Sequence, residues 1–149
     1  METKFNPNNL EIIQFKITQG EIKAPFEFAR KAIDSYGTDV NFTVGFNLKK
    51  KTARSNINFI ITTNSKNEQE EAYAKFSLVF IFKIKNAEEM IEIKKKKIVS
   101  INKDLTTAIA AISFSTSRGI LLTRLQGTVL KDYILPIMDP ANLNEQNNN

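Results

Sequence analysis

The sequence predicts an α+β fold: a four-stranded antiparallel sheet, with a crossover between its first two strands, followed by one long helix. In four successive segments between Leu10 and Lys85, apolar residues alternate with polar ones, which is typical of half-buried strands. After Asn102 the period changes to that of a helix, and apolar or small residues continue to about Leu125. With 149 residues, the chain is expected to form one domain.

The first strand and the segment after it predict a strand followed by a crossover loop. Alternation begins at Leu10, and Gly20 indicates a bulge or bend late in the strand. Pro25 then interrupts the strand. The segment from Phe26 to Gly37 has no clean period, and we interpret it as a crossover loop with at most a short helical turn.

Three further strands follow, separated by short polar turns. Their alternating residues run from Val40 to Leu48, from Ile57 to Ile61 and from Phe76 to Ile84. Consecutive strands joined by short turns favour an antiparallel sheet. The second face of the last strand carries the apolar residues Val79 and Ile81 together with lysines. We therefore expect this face to be partly buried and partly exposed to solvent.

The segment NAEEMIEIKKKK predicts a short helix with Ala87, Met90, Ile91 and Lys94 on one side. Its glutamates lie beside four lysines, which favours ion pairs or solvation over catalytic carboxylates. Asn102 is the predicted N-cap of the long helix, because an Asn side chain can accept hydrogen bonds from the first free backbone N–H groups.

The long helix, predicted from about Lys103 to about Leu125, carries no charge between Leu105 and Ser117. A helix that lies on one sheet with its back to water shows a charged face, so we expect this helix to be covered on more than one side. One sheet supplies one cover, and a second subunit is expected to supply the other.

Small side chains in this helix favour close approach of two backbones, and a mid-helix Gly119 costs about 1 kcal/mol unless it serves such a contact. The alternative is that the Ser and Thr hydroxyls bond back to carbonyls of the preceding turn. Arg118 either pairs with a carboxylate across the interface or stays hydrated near the helix end. The predicted oligomer interface comprises Ile109, Ile112, Ser113, Thr116, Ser117, Arg118 and Gly119.

Composition excludes several kinds of chemistry. The chain has no Cys and no His, so disulfides, zinc–thiolate sites and Ser-His-Asp systems are absent. No metal-ligand spacing or Gly-rich phosphate loop is present either. A hydrolytic enzyme could still use carboxylates, but Asp132 and Asp139 flank an apolar segment with no base nearby in the sequence. We expect no enzyme activity, metal or cofactor. The net charge is +5, partly concentrated in Lys49–Lys51 and Lys94–Lys97. Such runs are usually solvated loops, and nucleic-acid binding is the alternative.

The two ends of the chain are polar. Residues 1–9 are predicted to be flexible, residues 10–143 to form the domain, and the Asn-rich residues 144–149 to be disordered. The first ten residues, METKFNPNNL, do not match a secretory signal. The longest apolar runs are shorter than the roughly 20 residues of a membrane span. We therefore expect a cytoplasmic protein.

Two short motifs carry a resemblance to a known family. SRGIL, at Ser117–Leu121, lies late in the long helix, and LPIMDPANL, at Leu135–Leu143, forms a proline-containing apolar segment after it. With these motifs at these positions, the sequence resembles the SecB family of protein-export chaperones, including the SecB-like members found beside toxin–antitoxin systems. The resemblance spans about residues 10–143.

The resemblance implies an ATP-independent holdase that keeps unfolded preproteins competent for export or folding. It also implies a homotetramer, a dimer of dimers, whose long helices lie between two eight-stranded sheets. The best-known members are acidic and contact the export ATPase SecA, whereas this chain is basic. SecA and a dedicated antitoxin therefore both stay open as partners.

Family members bind clients in apolar grooves formed by the crossover segment and by the loop after the long helix. The resemblance implies that the matching residues here are Phe26, Phe28, Tyr36, Tyr133, Ile134, Ile137 and Met138. The alternative is that both sets pack within their own subunit. Exposure of either set would favour a binding role, because large exposed apolar patches are unusual in monomeric proteins.

Overall fold

The computed structural model describes residues 3–145, which form a four-stranded antiparallel sheet with one long helix on it. The strand order is β1-β4-β3-β2, so the crossover carries the chain from one edge of the sheet to the other. The strands are β1 (Leu10–Lys23), β2 (Ile33–Asn47), β3 (Thr52–Ser65) and β4 (Tyr73–Ile84). The predicted α+β class, the four-stranded antiparallel sheet and the crossover between its first two strands are confirmed.

The core lies between the two central strands and the helix. Residues of β3 and β4 alternate strictly between buried and more exposed positions, because only one face of the sheet is covered. The largest fully buried side chains of these two strands are Ile57, Phe59, Ile61, Leu78, Phe80, Phe82 and Ile84.

The long helix is α2 (Lys103–Arg124). The predicted cap is confirmed: Asn102 Oδ1 accepts hydrogen bonds from the backbone N–H groups of Asp104 (2.9 Å) and Leu105 (3.2 Å). By length and composition alone α2 could cross a membrane, a property that core helices of water-soluble folds share. In this fold one side of α2 packs on the sheet.

The connection between β4 and α2 differs from the prediction. The short helix α1 covers only Ala87–Met90 and is followed by a hairpin of β5 (Ile91–Lys94) and β6 (Lys97–Ile101). The helix predicted over NAEEMIEIKKKK is therefore wrong after Met90. The physical reason is the β-branched content of both arms, which favours strands, and the cross-strand pairing that they form.

The crossover is shorter than predicted. It contains a single 3₁₀ turn, and β2 begins at Ile33 rather than near Val40, because the first residues of β2 pair with the end of β3. Tyr36 consequently lies in a strand. The register shifts of β1 fall between Ile12 and Gln14 and between Ile17 and Gln19, rather than at Gly20.

Gly20 has another role in β1. A Cβ at this position would lie 3.3 Å from the ring of Phe76, which is tighter than ordinary van der Waals contact. Glycine thus leaves room for the aromatic side chain on the neighbouring strand.

The described parts of both ends are structured. A 3₁₀ turn at Pro7–Asn9 is capped by the Asn6 side chain, and Phe5 packs against the core. A last helix, α3, covers Pro140–Glu145, with Leu143 fully buried. Residues 144 and 145, which we predicted to be disordered, thus belong to α3. Residues 1–2 and 146–149 of the predicted tails lie outside the described residues.

Candidate functional site

The segment after α2, Leu130–Met138, is named the apolar loop from here on. It alternates anchored and free side chains: Tyr133 and Leu135 are buried, at 4% and 1% exposure, whereas Ile134 is 63% exposed and Ile137 91% exposed. Met138 is half-buried. The loop is therefore held by one set of apolar side chains and presents the other set outwards.

Arg118 holds this loop against α2. Its Nε donates to the carbonyl of Leu135 (3.0 Å), and its Nη2 donates to the carbonyl of Pro136 (3.2 Å). The guanidinium also lies 5.2 Å from the centre of the Phe114 ring, within cation–π range. The expected partner of Arg118, a carboxylate across the interface, is thereby replaced by two carbonyls of its own chain.

Two tyrosines join the apolar loop to β2. The rings of Tyr36 and Tyr133 meet edge to face, with their centres 5.3 Å apart. The hydroxyl oxygen of Tyr133 lies 2.6 Å from Thr38 Oγ1, within hydrogen-bond distance. Burial raises the pKa of both phenols, and the charge of Asp132 raises that of Tyr36 further. Both side chains therefore stay neutral at physiological pH.

The crossover presents another free aromatic residue. Phe26 is completely exposed, at 104% of its reference surface, whereas Phe28 is half-buried. The crossover is tied down next to them, because the backbone N–H of Ala29 donates to Gln69 Oε1 (3.0 Å) and the Ala29 carbonyl accepts from Gln69 Nε2 (3.2 Å). Phe26 is thus a free side chain on a tethered segment.

The tether continues into the turn between β3 and β4. Gln69 Nε2 also donates to Ser65 Oγ (2.8 Å), and the Glu71 carboxylate accepts from Ser65 N, Ser65 Oγ and Thr63 Oγ1. The hydrogen bond from Thr63 is the main reason why the pKa of Glu71 is lowered, and Ser65 adds to it. Glu71 therefore accepts these hydrogen bonds as an ionised carboxylate.

The seven predicted client-binding residues thus divide into two groups. Tyr36 and Tyr133 contact each other. Tyr133 therefore packs within its own subunit, which is the alternative that the sequence leaves open. The free apolar surface is supplied by Phe26, Ile134 and Ile137, with partial exposure of Phe28 and Met138. β2 follows the crossover and begins at Ile33, three residues before Tyr36. The contact between Tyr36 and Tyr133 therefore joins the apolar loop to the first residues of β2.

The seven predicted interface residues of α2 also divide. Ile109, Ser113 and Ser117 have no exposed surface and face the sheet. Ser113 Oγ lies 2.8 Å from Ser55 Oγ, and Ser117 Oγ donates to the carbonyl of Ser113 (2.6 Å). The structure assigns these three residues to the subunit core instead, and for Ser117 the alternative of bonding to the preceding turn holds.

The other side of α2 is open. Thr116 and Gly119 are exposed and Ile112 is half-buried, and a Cβ added at Gly119 would meet no atom within 4 Å. Arg118 is half-buried and holds the apolar loop. Within the described residues, the uncharged outer side of α2 therefore lacks the second cover that the sequence predicts.

The open side of α2 adjoins an exposed edge strand that sequence reasoning did not single out. Ile12 and Phe15 of β1 are 43% and 41% exposed, although their β4 partners Phe82 and Phe80 are buried. A groove of about 370 Å³ runs between β1 and α2 and is lined by Phe15, Ile17, Thr116, Gly119, Ile120, Thr123 and Arg124. The alternation of apolar and polar residues predicts the strand. Nothing in these residues predicts that the strand lies at the edge of the sheet, with a neighbouring strand on one side only.

Among residues 3–145, no group of three or more acidic, His or Cys side chains could hold a metal ion. The order β1-β4-β3-β2, the edge-to-edge crossover and the long helix on one face form a fold that matches the fold of a SecB-like chaperone. A solved structure with this fold is the Mycobacterium tuberculosis SecB-like chaperone Rv1957, in complex with a ChAD peptide from the Rv1956 HigA1 antitoxin. It shares 12% sequence identity and a TM-score of 0.60, over 89% of this chain and 92% of that chain.

A second solved structure, a protein of unknown function from Streptococcus agalactiae, matches with a TM-score of 0.36. Its sequence identity is 10%, over 86% of this chain and 97% of that chain. No family model and no curated protein matches the sequence. The similarity to known proteins is therefore one of fold.

Proposed function

We propose that this protein is an ATP-independent holdase chaperone that binds unfolded polypeptides on the apolar surface of the crossover and the apolar loop. The observation that carries the proposal is the exposure of Phe26, Ile134 and Ile137 on segments whose neighbouring residues are anchored. Exposed apolar side chains on a fixed frame bind apolar segments of other chains by burial, with little demand on sequence. The likeness in fold to a SecB-like chaperone supports this role.

The proposed active form is a homotetramer, a dimer of dimers, in the cytoplasm. The support for assembly is the open side of α2, with Gly119 unobstructed, and the uncovered apolar residues of the edge strand β1. An edge strand of 14 residues with exposed apolar side chains invites pairing with another chain.

A dedicated client is the second candidate function. The SecB-like chaperone Rv1957 was solved with a peptide from an antitoxin, and a similar partner here would replace a broad range of clients. SecA is the alternative partner for a role in export. A third candidate, nucleic-acid binding through the lysine runs, predicts affinity that falls steeply with salt.

The deciding experiment measures aggregation of a chemically denatured client after dilution, without nucleotide, at low and high salt. We expect the wild-type protein to suppress aggregation at both salt concentrations, because burial of apolar surface depends little on salt. Replacing Ile134 and Ile137 together by Ser should weaken client affinity by roughly tenfold or more, since each buried aliphatic side chain contributes about 1.5–3 kcal/mol.

The matched control is Ile60→Ser, because Ile60 is 42% exposed but lies on the sheet face opposite α2. It should leave aggregation suppression unchanged. Suppression that disappears at high salt would contradict the holdase. Failure with general clients, together with binding of an antitoxin peptide, would favour the dedicated role.

A further inference from the structure

The hairpin of β5 and β6 stands apart from the four-stranded sheet and forms a two-stranded sheet of its own. Its base is fixed, because Ile91 is buried and the backbone N–H of Asn102 donates to the Met90 carbonyl (2.8 Å). Beyond the base, every residue from 92 to 100 is exposed. The hairpin thus projects from the body of the protein.

One face of the hairpin is apolar along its whole length. The register pairs Ile91 with Ile101 at the base and Ile93 with Ile98 near the tip. Residues 91 and 93 alternate with Glu92, so both pairs lie on the same face. This face begins in the core and continues uncovered, with Ile93 47% and Ile98 39% exposed. Val99, at the register shift, is 54% exposed.

The tip of the hairpin is cationic. It consists of Lys94–Lys97, of which Lys94 pairs with Glu92 (3.3 Å). No ion pair is formed by the other three within the described residues. Lys95 and Lys96 have φ angles of 51° and 63°, in the left-handed region where hairpin turns usually place Asn and Gly. Turn geometry thus disfavours lysine at both positions. The presence of two lysines there therefore has to be explained by something other than the stability of the turn.

We propose that this hairpin docks on the surface of an anionic phospholipid membrane. Ile93, Ile98 and Val99 would enter the boundary between headgroups and acyl chains, and the lysines would contact lipid phosphates. Exposed aliphatic side chains next to a cationic cluster are the combination that such interfaces favour. The inference does not depend on client binding.

A nucleic acid fits the hairpin less well. The four tip residues include no aromatic side chain for stacking on bases, and their lysines could contact guanine but offer no side chain for reading adenine. Lysine could contact a polyphosphate backbone, but the adjacent aliphatic residues would gain nothing from that contact. A second hairpin also fits poorly, because two lysine tips would repel each other.

The test is cosedimentation with phosphatidylcholine vesicles that contain or lack phosphatidylglycerol. We expect binding only with phosphatidylglycerol, and roughly twenty-five-fold weaker partitioning for Lys95→Asn/Lys96→Gly, at about fivefold for each lysine. This variant has the preferred turn sequence, so hairpin unfolding cannot explain the loss. Replacing Ile93, Ile98 and Val99 by Ser should also weaken partitioning.

The matched control is Lys49→Gln/Lys50→Gln, which removes two exposed lysines from another turn. This control should weaken vesicle partitioning much less. An equal loss for both lysine pairs would overturn the proposal, and so would binding that ignores lipid charge. It would also fail if the hairpin variants lost affinity for DNA but kept vesicle binding, or if the Ser variant changed the oligomeric mass. Client aggregation assays should be unaffected by the hairpin variants.

Discussion

Ser55 of β3 and Ser113 of α2 place their hydroxyl oxygens 2.8 Å apart, and neither side chain has any exposed surface. This pair is a polar contact at the centre of an apolar layer between sheet and helix. Ser113→Ala should lower the free energy of unfolding by about 1–3 kcal/mol, because it leaves the Ser55 hydroxyl buried without this partner. Chemical denaturation of both proteins measures the difference.

The control for this pair is the double variant Ser55→Ala/Ser113→Ala. Removing both hydroxyls leaves no unsatisfied group, so the double variant should be more stable than the worse of the two single variants. Additive losses would contradict a direct hydrogen bond between the two serines.

Gly119 provides a test of assembly through the open side of α2. Gly119→Leu has free space within the subunit, so its thermal stability should be retained. If a second subunit packs closely on this side, the added side chain should shift the mass measured by light scattering from tetramer towards dimer or monomer. Gly45→Leu is the matched control, because Gly45 on β2 is also unobstructed. If both variants remained tetramers, the subunit interface would not include Gly119.

Local periodicity is enough to predict the sheet and α2. The crossover is predicted, though not its bounds, by Pro25 and the loss of period after it, and the cap of α2 by the side chain of Asn102. The hairpin of β5 and β6 was not predicted, because its turn is Lys95–Lys96 rather than a sequence rich in Asn or Gly. The alternation of IEI and the β-branched IVSI were the available signals. A run of four lysines is more readily interpreted as a solvated helix end.

The candidate site was only partly predictable, because several partners lie far away in the sequence. Ser113 is satisfied by a residue 58 positions away, and Arg118 by backbone carbonyls, which have no sequence signature. The sequence alone therefore predicts contacts between subunits for both residues. Phe26 and Ile137 are exposed, and the family resemblance alone suggests them as a binding surface. Periodicity alone could not distinguish these residues from packed ones.

Arg118 makes a separate prediction about the apolar loop. Arg118→Lys keeps the charge but cannot reproduce donation to both Leu135 and Pro136, since lysine lacks the planar fork. We expect a loss of about 1–2 kcal/mol in the free energy of unfolding. Hydrogen exchange of the apolar loop should also become faster. Arg124→Lys, on the last turn of the same helix, is the control, and equal effects in both variants would argue against a specific role for Arg118.

Glu71 should make the stability of the protein sensitive to acid. Its folded-state pKa lies below the ordinary carboxyl value, so the unfolded chain binds its proton at a higher pH than the folded chain does. The contribution of Glu71 is therefore complete above the ordinary carboxyl pKa and is lost as the pH falls through the lowered value. Thermal unfolding of wild type and Glu71→Gln across this range measures it.

The Glu71→Gln variant should be less stable than wild type at neutral pH, because an amide accepts fewer of the hydrogen bonds from Thr63 and Ser65. Its stability should fall less steeply in acid, so the two unfolding curves converge as the pH is lowered. Glu68→Gln removes an exposed glutamate from the same turn and should leave the curve close to wild type. Parallel curves for wild type and Glu71→Gln would show that the hydrogen bonds of this carboxylate do not contribute to folding. In that case the tether between Gln69 and Ala29 would have to hold the crossover without support from Glu71.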